Sequence, residues 1–149
     1  TDNELRRFRL VFNAVKTHFR QVEKQAGLGG AQVWALSLID ARPDIGVGAL
    51  AAAMDIHQTT ASNLVKSLIA ANLVASHRDG PDRRAVHLRI QPAGRSVLRR
   101  VPGPFAGVLP DALSRLDPET LRRLDNDLAE LIEILQTDER GARIPLAQM

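Results

Sequence analysis

Between Gly46 and Gly94 the spacing of apolar residues changes from a helical to an alternating pattern, and this change restricts the possible folds more than any other feature of the chain. Val47–Met54 is short, Ala-rich and helical, with Leu50 and Met54 turned inward. Asp55 stands in a turn, where Asn, Asp or Gly tolerate a left-handed backbone. His57–Ala71 then places Ala61, Leu64, Val65, Leu68 and Ile69 on one helical face, and Asn72 takes the usual left-handed position beyond a helix end. From there the period becomes two. Leu73–Arg78 and Ala85–Ile90 read as strands about the turn Asp79-Gly80-Pro81-Asp82, with Val86, Leu88 and Ile90 alternating with His87 and Arg89. The segment predicts two helices meeting at a tight turn, with Ala51 and Ala52 small enough for close crossing, then a ribbon with one buried face.

The polar residues of this segment point to a partner. Gln58, Thr59, Thr60, Ser62 and Asn63 open the second helix, Lys66 follows on its exposed face, and the ribbon's loop carries Arg78, Arg83 and Arg84. A rigid helix tip of donors and acceptors beside a cationic loop suits double-stranded DNA, whose base edges and phosphates call for those two kinds of contact. A structural helical hairpin in some other α+β domain explains the helices alone. It does not require three arginines around a Gly-Pro turn.

Charge is distributed to match. Net charge is only +3, yet His57–Arg100 holds eight basic residues (Lys66, Arg78, Arg83, Arg84, Arg89, Arg95, Arg99, Arg100) against two acidic ones. Asp117–Asp138 reverses this, with seven acidic residues against Arg122 and Arg123. The middle of the chain is polarised toward a polyanion and the C-terminal part is not. With no cysteine, disulfides, thiolate metal sites and cysteine redox sensing are excluded. His18, His57, His77 and His87 lack metal-ligand spacing, so no metal or other cofactor is expected. Neither a Ser/His/Asp set, nor paired carboxylates, nor a phosphate loop stands out, and an enzyme is not expected. Without a membrane-length apolar run or a signal-peptide pattern, a soluble cytoplasmic protein is expected; the start at Thr1 rather than Met suggests a short missing leader.

At 149 residues and 44% apolar content the chain fits one domain. Near its start Leu5, Phe8, Phe12, Val15, Phe19 and Val22 alternate spacings of three and four, an a/d seam that Gly27, Gly29 and Gly30 end. Leu121, Leu124, Leu128, Leu131 and Leu135 repeat the pattern after Asp117-Pro118-Glu119, a good helix start. The seams can pair within one molecule, pack on the core, or form a symmetric dimer. Flanking a DNA-reading module, they favour the dimer, because two-fold proteins bind two half-sites. Ala31–Ala41 is a third helix, Pro92 opens another, and Pro102, Pro104 and Pro110 should interrupt it. Thr137–Met149 is expected to fray.

These motifs resemble the MarR family of bacterial regulators, most specifically over Val47–Gly94. The wing pattern Asp-x-Arg, an apolar strand and Leu-Thr-x-x-Gly is matched by Asp82-Arg83-Arg84 and Ile90-Gln91-Pro92-Ala93-Gly94. Thr59–Leu68 resembles the recognition helix, with Asn72-Leu73-Val74 where Gly-Leu-Val is usual. Gln91 and His57 stand in place of capping Thr and Ser, and the Pro102–Pro110 stretch breaks a helix that is usually long.

The resemblance implies a mainly α fold with a small two- or three-stranded wing: a winged helix–turn–helix lobe at about 31–100 and dimerisation helices at about 3–26 and 117–137. It implies that Gln58, Thr59, Thr60, Ser62 and Asn63 contact bases or phosphates, and that Lys66, Arg78 and Arg83 contact phosphate. Arg84 would be the minor-groove finger, with Asp82 holding the wing. A small aromatic or anionic effector is a further expected partner, with Phe12, His18, Phe19 and Trp34 as pocket candidates, although ordinary packing explains each of these four. The function expected is a ligand-responsive, homodimeric repressor on a pseudo-palindromic operator. The alternatives are a winged-helix protein-interaction module and an architectural protein that binds DNA without sequence preference.

Overall fold

A computed structural model describes residues 1–78, 85–135, 143 and 145–148. Helices α1 (Asp2–Ala26), α2 (Gly30–Ala41), α3 (Val47–Met54) and α4 (Gln58–Ala70) precede strands β1 (Val74–His77) and β2 (His87–Ile90). Then come α5 (Pro92–Arg100), α6 (Val108–Ser114), α7 (Pro118–Leu135) and a short 3-10 helix at Leu146–Gln148. The mainly helical fold with a two-stranded antiparallel sheet is the expected winged helix–turn–helix.

Helix α2 is the hub. It buries Ala31, Val33, Ala35, Leu36 and Ile39, more of its surface than an amphipathic helix would, because α1, α3, α4, α5 and β2 all pack on it. Around it Leu50, Met54, Leu64, Leu68, Val74, Leu88 and Val97 complete one core. Helices α3 and α4 end alike. Asp55 (φ 53°) and Asn72 (φ 61°) take left-handed backbones. The next amides, of Ile56 and Leu73, reach back to the Ala51 and Leu68 carbonyls at 3.0 Å, and both Ile56 and Leu73 are buried. This is the Schellman arrangement with an Asx residue where glycine is common. Ala51 is buried at the α3–α4 crossing, but Ala52 is exposed and so takes no part in the close approach that both alanines were expected to serve.

Both strands are shorter than expected. The ladder pairs Val74 with Ile90, Ala75 with Arg89, Ser76 with Leu88 and His77 with His87. A third segment joins through a single bridge from Ile45 to Leu88, with Leu88 N–H donating to the Ile45 carbonyl at 3.0 Å.

The proline-rich stretch does break the helix after α5. It contains a cis Gly103–Pro104 peptide and leads through Gly107 into α6. His18 on α1 ties into it, its Nε2–H donating to the Pro104 carbonyl at 3.2 Å. The Phe19 ring lies between Gly30 and Gly107: a Cβ added at Gly30 would fall 2.2 Å from that ring, and one at Gly107 would fall 3.0 Å away. Of the C-terminal stretch expected to fray, residues 137–142, 144 and 149 lie outside the described region. Pro145 is buried, and the 3-10 helix packs back on α1 and α2.

The two seams do not cover one another. Val15 and Val22 are buried within the chain and Phe19 is half-buried, but Leu5, Phe8 and Phe12 are exposed, Phe8 and Phe12 stacking with ring centres 6.2 Å apart. Helix α7 buries none of its residues, and Leu121, Leu131 and Leu135 stand exposed while Leu124 and Leu128 are partly covered. The accessible surface is 10296 Å², against about 7,500 Å² for a compact monomer of this mass. The uncovered faces of α1 and α7 contribute to that excess.

Candidate nucleic-acid interface

The sequence of α4 divides its circumference. Ala61, Leu64, Val65 and Leu68 are buried, so the opposite ridge carries Thr59, Asn63 and Lys66, all exposed. Gln58 and half-buried Ser62 flank this ridge on one side, and half-buried Thr60 and exposed Ser67 flank it on the other, toward the start of α2. Five of the six helix residues singled out from the sequence, from Gln58 to Asn63, therefore surround the helix's first turns, with Lys66 one turn further along. Neither His57 at this helix start nor Gln91 at the start of α5 makes a side-chain capping hydrogen bond.

Arg78 follows β1 and is exposed. Asp82, Arg83 and Arg84 fall outside the described residues. Within the described wing the stabilising contact comes from elsewhere. Arg89 Nε donates to Asp44 Oδ1 at 2.7 Å and its Nη2 to Asp44 Oδ2 at 3.0 Å. Asp44 has φ 69°, its own N–H donates to the Leu88 carbonyl at 3.0 Å, and its carbonyl accepts from His87 Nδ1 at 3.3 Å. The hydrogen bonds from Arg89 hold the Asp44 carboxyl below its usual range; partial desolvation opposes this, and the charges of Arg89, His87 and His77 reinforce it. No sequence signal pairs Asp44 with Arg89; Arg89 reads there only as one of the basic residues and as an outward position of the ribbon.

The pocket candidates do not converge on one site. Phe19 and Trp34 line a small apolar cleft of about 100 Å³ among α1, α2, α6 and the C-terminal segment. Phe12 and Phe19 line a wider groove along α1, of about 640 Å³, with Lys16, Arg20 and Leu109. His18 touches the edge of the Phe19 ring and lines neither. Among the described residues no group of three or more His, Asp or Glu is placed to hold a metal, and no helix is long and apolar enough to cross a membrane.

An exposed second helix on a helix–turn–helix, backed by an antiparallel wing, defines the winged helix–turn–helix class. Residues 26–85 match the MarR family model, so the resemblance read from the motifs is borne out, and that family comprises DNA-binding transcriptional regulators rather than enzymes. The fold is similar to that of S. aureus MepR in complex with DNA, at TM-score 0.63 and 18% identity, covering 91% of this chain and 98% of that one. Streptococcus pneumoniae FabT in complex with DNA gives TM-score 0.55 and 15% identity, covering 91% and 96%. The multiple antibiotic-resistance repressor MarR from Listeria monocytogenes gives 0.55 and 18%, covering 91% and 94%. At these identities the likeness is one of fold. No curated protein matches the chain.

Proposed function

We propose that this protein is a homodimeric repressor that reads a pseudo-palindromic operator through α4, grips phosphate with Lys66, Arg78 and Arg83, reaches the minor groove with Arg84, and releases DNA when a small ligand binds. The observation that carries this reading is the ridge of Thr59, Asn63 and Lys66. It is exposed, polar and cationic, on a helix whose opposite face is packed into the core. Thr and Asn side chains suit base edges, and lysine suits phosphate. MepR and FabT have both been crystallised with DNA.

Support for the dimer comes from charge as well as exposure. Helix α1 carries six basic residues against three acidic ones, while α7 carries five acidic against two basic. Two copies of α1 repel, as do two copies of α7. An α1 of one copy against an α7 of another joins apolar seams of opposite charge, at helices that one chain alone leaves uncovered. Support for ligand response is the apolar cleft beside Phe19 and Trp34, at the junction of α1 with the DNA-binding lobe. A ligand there favours release only by binding better to a conformation that misfits the operator.

Selection of duplexes from a random library, followed by footprinting of the recovered sequence, tests this reading. Expected are two protected half-sites about one helical turn apart, roughly 34–36 Å centre to centre, and binding that weakens steeply with salt. Absence of salt-sensitive binding would favour a protein-interaction module, and equal binding to every duplex an architectural role. Sedimentation at micromolar concentration should show a dimer; a stable monomer would remove the paired-reader mechanism.

A further inference from the structure

We propose that Gln32, on the first turn of α2, is a positioning residue for DNA recognition that fastens the α1–α2 joint to the reading helix. The inference rests on the DNA-binding role proposed above for α4.

The geometry is a two-handed use of one amide. Gln32 Oε1 accepts from Gly29 N–H at 2.9 Å, closing the start of α2. Its Nε2 donates to Ser67 Oγ on α4, 35 residues away. A glutamine serves here because it presents an acceptor and a donor at once. Ser67 lies one turn beyond Asn63 and two beyond Thr60, and all three line a groove of about 350 Å³ with Gly29 and Gln32. The bond therefore lands on the flank of α4 that carries two proposed DNA contacts, and it fixes the rotation of that flank relative to α2.

The other hand holds the joint between α1 and the lobe. Helix α1 ends at Ala26 and is capped by Gly27 in a left-handed conformation, so only Gly27, Leu28 and Gly29 separate it from α2. Directly after them, Gly30 meets the Phe19 ring of α1 so closely that a Cβ there would force the ring to shift. A shift of α1 against α2 thus moves Gly29, and through Gln32 it moves Ser67. The apolar cleft lined by Phe19 and Trp34 opens at this same joint. Gln32 is accordingly placed to pass a change in that cleft to the reading helix without touching either ligand.

A double-mutant cycle of Gln32→Ala and Ser67→Ala tests this, read as affinity for a duplex selected by the wild-type protein and for an unrelated duplex, with thermal melting alongside. A hydrogen bond's net worth corresponds to a roughly three- to tenfold change in binding. Expected is a loss of that size for Gln32→Ala on the selected duplex, a smaller loss on the unrelated one, and no further loss when Gln32→Ala is added to Ser67→Ala. Ser67→Ala should melt close to wild type, and Gln32→Ala slightly lower because it also loses the capping bond to Gly29 N–H. Additive losses would overturn the proposal by showing that Gln32 acts independently of Ser67, as would equal losses on both duplexes. Failure of the wild-type protein to select any duplex would instead refute the DNA-binding role itself.

Discussion

Asp44 and Arg89 face each other across 45 residues of chain, the guanidinium spanning both carboxylate oxygens. The pair joins the loop before α3 to the outer face of β2, while the Ile45 bridge joins the same loop to Leu88. A two-stranded ribbon alone is marginally stable and free to splay. Here its base is secured by an ion pair on one face and by buried Val74 and Leu88 on the other. The direction in which the wing leaves the lobe is thus set by residues outside the wing's own loop.

Replacing Arg89 by Ala should weaken binding to a selected duplex about three- to tenfold, the range of one or two modest interactions, with little change in melting temperature because the pair is exposed. Asp44→Asn should act in the same direction, since an amide cannot reproduce the charged fork. Competition binding checks both; unchanged affinity in either variant would show that the wing's aim does not depend on this pair.

Acid should loosen the same contact. The folded carboxyl of Asp44 is held below its ordinary value of 3.8 by Arg89. Its contribution to stability is therefore present in full above that value and fades as pH falls through the lower, folded one. Wild type should lose a small increment of stability below about pH 4 that Asp44→Asn lacks, in keeping with an exposed pair. Parallel melting curves of the two proteins down to pH 3 would contradict this.

Gly94 marks a close approach that side chains cannot share. A Cβ there would lie 2.5 Å from the Leu73 carbonyl oxygen, which itself accepts the Gln91 amide at 2.8 Å. Because the obstruction is backbone, it cannot rotate away. Gly94→Ala should destabilise the fold by about 1–3 kcal/mol, as overpacking does, measured by urea denaturation. A neutral substitution would show that α5 can move off β1 freely.

Lys66 and Asn63 should fail differently. Removing a phosphate contact weakens all sequences alike and reduces the salt dependence by about one ion. Removing a base contact costs about 1–3 kcal/mol on the selected site alone. Lys66→Ala should therefore show the first pattern and Asn63→Ala the second, in titrations at several salt concentrations.

Much of this architecture is legible in the sequence because it is local. Asp55 and Asn72 announce their left-handed turns, the spacing from Ala61 to Leu68 defines the buried face of α4, and the prolines after Val101 end α5. The contacts that escape a reading of the chain are pairs of exposed polar residues brought together only by the fold. Asp44 with Arg89 and Gln32 with Ser67 leave no periodic trace, since each partner alone resembles solvated surface. The closeness of Phe19 to Gly30 and Gly107 is likewise a matter of tertiary packing, and Gly30 on its own reads as helix punctuation.

The exposed α7 has a thermodynamic consequence. Eighteen residues of helix with none buried gain little from their own molecule, and helical stability in proteins comes mostly from packing an apolar face rather than from propensity. If their leucines find cover only in a second copy, mass action enters the folding equilibrium. The melting point then becomes a function of how much protein is present, and dilution alone would soften the C-terminal third first.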